Sequence, residues 1–416
     1  MIESDQISEA PGSFRREKIS VSDLAAFGGA PLFSSPLHVT RPNAGDKERF
    51  FGLVEESWER RWFTNDGVMV ADLETRLADR LGVKHCITAS SGTAAMELAI
   101  RALELAGSVI VPAFTFVSTA HMLHWAGIRP VFADIDPRNW ALDPESCRKK
   151  IAPDVSAVIA THPFGMAADI EALQALCDKE GIPLLFDSAH AFGCTYQGKP
   201  IGGFGRAEIF SFHATKAFHT FEGGAITTND DALAADLRSM RNFGFSGYDQ
   251  VERAGTNAKM SEIHAAMGLT NLDAFDDILA ASARCFQSYE QALRDIGGIT
   301  MRLPNAADRS NHHYVAAETD SERLGVTRDQ LLDLLGAEGV YARRYFYPGT
   351  HRSEPYRTLF PDAGASLPVT EALLKRIIQF PAGATVDGDD VRALGNLLRF
   401  IAAHAAEIAE ALAQRD

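Results

Sequence analysis

Two residues near the middle of this chain have the type and setting for carbonyl chemistry. Lys216 closes the run Ser211-Phe212-His213-Ala214-Thr215-Lys216, with little other charge beside it. Burial strips water from such an ammonium and lowers its pKa, as an amine that forms a Schiff base requires. Asp187 ends the apolar run Leu184-Leu185-Phe186 and is followed by Ser188-Ala189-His190. A carboxylate there can keep a pyridine nitrogen protonated, which is what makes a pyridoxal phosphate ring an electron sink. Each residue alone has an ordinary reading: an acid after a strand is a turn former or helix N-cap, and a lysine is solvated. Together, with Glu222-Gly223-Gly224 turning into a further strand, they form the minimum set for such an enzyme.

Two more stretches bear on the same chemistry. Ser90-Ser91-Gly92-Thr93-Ala94-Ala95 falls at a strand-to-helix turn, where small residues and a helix N-terminus suit an anion such as a cofactor phosphate. Pro112-Ala113-Phe114-Thr115-Phe116 follows the next strand, and Phe116 is either core or a plane for a heteroaromatic ring, position alone favouring core. Gly193 to Lys199 mimics the first seven positions of a P-loop, but Pro200 stands where a magnesium-binding Ser or Thr is needed. No H-E-x-x-H or G-x-S-x-G is present, and no G-x-G-x-x-G lies at a strand–helix junction. His312-His313 reads as a surface or packing pair.

The elements that must position these residues follow from periodicity. Strands are predicted at 85–88, 108–111, 131–133, 157–160, 184–187, 207–210 and 224–227. Helices are predicted at 47–61, up to Leu81 with Gly82 as C-cap, and at 93–105, 116–126, 144–149 and 169–180. Short apolar strands alternating with helices imply a mostly parallel sheet covered on both faces, with an antiparallel part where the last two strands follow closely. Beyond Ser261 the pattern changes to longer helices, scattered strands and an amphipathic helix from Asp389 to about Leu412, read as a second, smaller domain. The expected division is a flexible tail over 1–20, a large domain with an N-terminal arm over 21–270, and a small C-terminal domain over 271–416.

Composition narrows the class. With 416 residues, 46% hydrophobic and 23% charged, the chain reads as a globular protein with a sizeable core. A net charge of −15 without a basic stripe argues against nucleic acid. Five scattered cysteines, with no C-x-x-C, suit buried reduced thiols rather than a metal site or disulfide framework. Neither a signal peptide nor a bilayer-spanning apolar run is read, so a cytoplasmic location and no membrane partner are expected.

In order and spacing, these motifs resemble the DegT/DnrJ/EryC1/StrS family of pyridoxal-phosphate-dependent sugar aminotransferases. Arg241-Asn242, Gly255 to Ser261 and Arg344-Tyr345-Phe346-Tyr347-Pro348 add to the likeness, which runs from about Phe27 to the C-terminus. The resemblance implies an aspartate-aminotransferase-like (type I) α/β fold, with a large domain built on a mostly parallel seven-stranded sheet. It implies Lys216 as the Schiff-base lysine, Asp187 as partner of the pyridine nitrogen, Ser211 and the amides of Gly92 and Thr93 as phosphate ligands, and Phe116 as the stacking ring. Asn257 would reach the phosphate of a neighbouring subunit's cofactor, implying a homodimer with shared active sites. Tyr345, Tyr347 and His351 fall where the family contacts the sugar nucleotide. Where many relatives carry Gln, this chain has His190, whose ring can still donate to the cofactor's 3′ oxygen. Retention of Lys216 disfavours the dehydratase branch, which has His there. The implied reaction is ping-pong transfer of an amino group, from a donor such as L-glutamate through pyridoxamine phosphate, to a nucleotide-linked ketodeoxysugar in amino-sugar or antibiotic biosynthesis. An aminocyclitol ketone (an inosose) and a non-catalytic, cofactor-binding regulator are the alternatives.

Overall fold

A computed structural model describes residues 17–414. Its centre is a seven-stranded sheet made of β1 (His85–Ala89), β2 (Ser108–Pro112), β3 (Arg129–Ala133), β4 (Val155–Thr161), β5 (Leu184–Asp187), β6 (Ala207–Ser211) and β7 (Gly224–Thr228). The spatial order is β1-β7-β6-β5-β4-β2-β3. Only β7 runs against the others, pairing antiparallel with β1 and β6. No crossover helix separates β6 from β7, so the chain returns directly and antiparallel. All of β2 and β7 is buried, as a sheet covered on both faces requires.

Helices α1 (Lys47–Arg60), α2 (Val68–Leu81), α3 (Gly92–Ala102), α4 (Ser118–Trp125), α5 (Pro144–Lys150), α6 (Ile170–Glu180), α7 (Asp231–Arg241), α8 (Glu262–Asp273) and α9 (Phe275–Leu293) surround this sheet and its neighbour. Residues of α3, α4 and α7 share one core with the sheet, and α2, α8, α5 and α6 cover the other face. The apolar spacing of α2 buries Met69, Val70, Leu73, Leu77 and Leu81, and Gly82 ends it at φ +66°.

A three-stranded antiparallel sheet, β8 (Ile299–Met301), β9 (Val315–Thr319) and β10 (Ile377–Phe380), carries a separate core with α9 and the helix Gly388–Ala403. The N-terminal arm, expected with the large sheet, packs into this second core through Val21, Leu24 and Phe33. Buried Glu338 draws it there, accepting from the amides of Ala25 and Leu32 (both 2.7 Å) and pairing with Lys18 at 2.8 Å. Of the tail expected over 1–20, residues 1–16 lie outside the described residues, while Lys18 is held by that ion pair. The single C-terminal helix expected over 389–412 is two, Gly388–Ala403 and Ala405–Ala413. They break at His404, whose ring stacks on Phe400 and whose Nδ1 bonds the Phe400 carbonyl. The five cysteines are free and buried, and no described helix is long and apolar enough to cross a membrane.

Candidate active site

The C-terminal ends of the parallel strands and the start of β7 meet at one edge of the large sheet, where open α/β sheets place their ligands. A cavity of about 330 Å³ lies there. Asp187, the last residue of β5, lines it beside Thr161 of β4 and Ile209 of β6, its neighbours in parallel register. Its carboxylate is fixed from two sides. Thr119 Oγ1 donates to Oδ2 at 2.7 Å and the Ala189 amide donates to Oδ1 at 3.2 Å. Thr119 in turn shares a 3.0 Å bond with Thr115. Burial pushes the Asp187 carboxyl above its ordinary range, while these two hydrogen bonds and the charge of Lys216 pull it back. Thr161 Oγ1 and His162 Nε2 are buried in the same wall without a hydrogen-bond partner, so the wall has polar capacity to spare.

Lys216 comes from the loop joining β6 to β7, and that loop is held throughout its length. The Phe212 amide donates to Gly223 O, Lys216 N to His213 O, and Thr220 N to Phe212 O, all within 2.9 Å. His313 Nε2 donates to Thr215 O at 3.0 Å, and Asn43 Nδ2 to Ala217 O at 2.9 Å. Phe218 is buried among Phe192, Phe212 and Phe275. The backbone of Lys216 is thus fixed while its side chain enters the cavity. Burial lowers its ammonium pKa to about 8, against the opposing pull of Asp187.

An anion cradle closes one end. Ser91 caps α3, its hydroxyl accepting from the Ala94 amide at 3.0 Å. Gly92 and Thr93 follow in the first turn, where amides have no partner within the helix, and both line the cavity with Ser211. Two glycines permit the approach: a Cβ on Gly224 would sit 2.5 Å from the Gly92 nitrogen, and one on Gly92 would sit 2.8 Å from the Ser211 Cβ. Phe116 lies at the mouth, 54% exposed, with its ring free to cover a planar ligand. His190 packs between Tyr314, at 4.4 Å, and Phe346, at 5.8 Å. Its Nδ1 accepts from the Phe164 amide at 3.2 Å, and burial holds the ring well below its ordinary pKa. A neutral ring accepting at Nδ1 carries its proton on Nε2, so His190 has a donor to offer.

The structure therefore brings together Gly92, Thr93, Phe116, Asp187, His190, Ser211, Lys216 and Tyr345 around one cavity. Tyr347 instead lines an adjoining cavity of about 630 Å³, sharing Phe116, Arg343, Tyr345 and Phe346 as common walls. Asn257 is exposed, pairs its backbone with Asn242, and lines neither cavity. His351, expected among the substrate contacts, is 3% exposed, bonds Glu371 Oε1 through Nε2 at 2.7 Å, and lines neither cavity. Thr119, Thr161, His162 and Arg343 belong to the site's surroundings without having been singled out in the sequence. Thr119 carried one signal, its place a turn beyond Phe116 on the helix leaving that loop.

A fixed acid, a lysine of depressed pKa, a helix-start anion cradle and an aromatic lid define a lysine enzyme suited to pyridoxal phosphate, whose nitrogen, carbonyl and phosphate these groups match in kind. The chain belongs to the DegT/DnrJ/EryC1/StrS aminotransferase family, whose model matches residues 45–399. It is 33% identical over 374 residues to a dTDP-4-amino-4,6-dideoxy-D-glucose transaminase of Shigella dysenteriae, spanning 88% of this chain and 99% of that protein. It is 34% identical over 364 residues to the GDP-perosamine synthase of Caulobacter vibrioides, spanning 82% and 96%. Among solved structures, DesI in the presence of its TDP-sugar product superposes with a TM-score of 0.90 at 42% identity, covering 95% of this chain and all of that one. The fold is that of the pyridoxal-phosphate-dependent aminotransferases, and the chain is a transaminase of that class.

Proposed function

We propose that this enzyme moves the amino group of an α-amino acid, L-glutamate in the first instance, to C4 of a dTDP-linked 4-keto-6-deoxyhexose. The observation that carries this is the convergence of Asp187, Lys216 and the Gly92–Thr93–Ser211 cradle on one cavity. Its acceptor class is supported by the Shigella relative, named for a dTDP-4-amino sugar, and by DesI, solved with a TDP-sugar. Over the cycle glutamate becomes 2-oxoglutarate and the acceptor carbonyl becomes CH–NH₂, so atoms and electrons balance.

When bound, pyridoxal phosphate supplies the electron sink for the donor Cα carbanion and the carbonyl that carries nitrogen between half-reactions. Lys216 Nζ would be the attachment point for that carbonyl and the base for the donor Cα proton. With a pKa of about 8 an appreciable share is unprotonated near neutrality. Asp187, oriented by Thr119 and the Ala189 amide, holds the pyridine proton. The amides of Gly92 and Thr93 and the Ser211 hydroxyl would hold the phosphate, and His190 Nε2 would offer a donor to the ring oxygen. Asn257, exposed and away from its own cavity, is consistent with service in a partner's site and supports a homodimer.

The test is incubation of purified protein with pyridoxal phosphate, L-glutamate and dTDP-4-keto-6-deoxyglucose, with products read by mass spectrometry. An amino sugar nucleotide supports the proposal; amination of an inosose alone contradicts it.

A further inference from the structure

Charge around the cavity is unevenly committed. One lysine and one arginine are among the described residues that line it, Lys216 and Arg343. Lys216 is occupied by the reaction itself. Arg343 is anchored by its backbone: its N–H donates to Gln379 O at 3.0 Å and its carbonyl accepts from Gln379 N at 2.8 Å. Its guanidinium lies 5.2 Å from the Tyr345 ring centroid, and among the described residues no carboxylate pairs with it. Its neighbours are committed. Arg344 pairs with Asp329 at 3.1 Å and covers Tyr347 at 4.1 Å. Arg328 is buried against the same Asp329 and against the carbonyls of Leu374 and Ile377. Of the carboxylates lining the cavity, Asp187 is held by Thr119 and Ala189, and Glu222 lies 3.6 Å from His213.

We propose that Arg343 anchors the carboxylate of the amino donor. The inference rests on the transaminase reading. A donor's α-carboxylate is one bond from the carbon whose proton Lys216 takes, so it must lie inside the same cavity. A carboxylate brought out of water there requires a charged partner, and a guanidinium meets it with paired N–H donors. The diphosphate of a sugar nucleotide is a hexose ring away from the reacting carbon, so it makes no such demand at that carbon. Arg343 stands where the two cavities share a wall, so its side chain is placed to release the leaving keto acid as the acceptor enters.

The test separates the two half-reactions of the holoenzyme. Wild type, Arg343→Gln and Arg343→Lys are mixed with L-glutamate over a range of concentrations, and the change in the bound cofactor's visible absorption is followed. Each enzyme, pre-aminated, is then mixed with dTDP-4-keto-6-deoxyglucose. Binding of α-methyl-L-glutamate, which has no Cα proton to lose, is measured in parallel by calorimetry. We expect Arg343→Gln to raise the glutamate concentration for half-maximal rate by about 10- to 100-fold. The affinity for the methyl analogue should fall in step, lysine should recover part of the loss, and the acceptor half-reaction should be unchanged. Unchanged glutamate dependence in Arg343→Gln overturns the assignment, as does a slowed acceptor half-reaction with normal glutamate, which gives Arg343 to the diphosphate. A wild type inert to every amino acid overturns the transaminase reading itself, a result distinct from either.

Discussion

The floor and the rim of this cavity are built by different rules. On the floor, Asp187 is held by two donors of its own, and the backbone of Lys216 is locked by the loop around it and the buried Phe218 beside it. The rim is contributed by Phe116 and the 343–347 segment, with half-exposed rings and arginines stacked on tyrosines. Preorganised dipoles around a developing charge belong on rigid elements, whereas recognition of a variable substrate tolerates side chains that shift. Floor substitutions should therefore impair the chemistry for every substrate, and rim substitutions should alter affinity for one.

The sharpest break in that contrast is Lys216→Ala. It should abolish covalent cofactor attachment and lower turnover by more than about 10⁴-fold, with the circular dichroism spectrum unchanged. Asp187→Asn, which keeps the shape and removes the charge, should cost about 10²- to 10³-fold in the glutamate half-reaction for every donor tested. Thr119→Val removes one hydrogen bond to that carboxylate, and an approximately 10-fold slowing is expected, in kcat rather than in KM. An equal effect on glutamate KM from any of these would erase the distinction between floor and rim.

The smallest effect concerns the layer beneath the floor. Glu208 of β6 is fully buried, accepts from the Gly202 and Phe204 amides and from the Ser188 hydroxyl, and is pushed up to about 7 by burial. His162, 3.9 Å away, is depressed to about 3 and stays neutral across this window. Because the native pKa lies above the ordinary 4.5, the unfolded chain gives up this proton first. The stabilisation is complete below about 4.5 and is lost as pH rises through about 7, by about 3 kcal/mol at most. Glu208→Gln has no proton to lose, so its melting temperature should fall less than that of wild type between these pH values. Parallel curves would show that Glu208 does not titrate there.

What the sequence made legible follows the same division. Asp187 and Ser211 end short apolar strands and the Ser91–Thr93 turn follows one, and in a parallel sheet strand ends share an edge, so sequence order assembles most of the floor. The β6–β7 reversal was legible from the missing helix between them. Thr119 was legible only by its place a turn beyond Phe116, because a threonine on a helix carries no mark of the side it faces. Arg343 and Arg344 are adjacent and chemically identical, and among the described residues only Arg344 meets a carboxylate, that of Asp329. The burial of His351 was not legible, because its partner Glu371 lies on another element. The arm's allegiance to the second core depended on Glu338, some three hundred residues away.

The most direct test of the central claim is the visible absorption spectrum of the purified protein with pyridoxal phosphate, before and after excess L-glutamate, beside Lys216→Ala. The account predicts a band for lysine-bound cofactor that glutamate discharges in wild type, and no such band in the variant. A band of equal strength in Lys216→Ala, or none in wild type, would contradict Lys216 as the attachment point and, with it, the reaction assigned to this site.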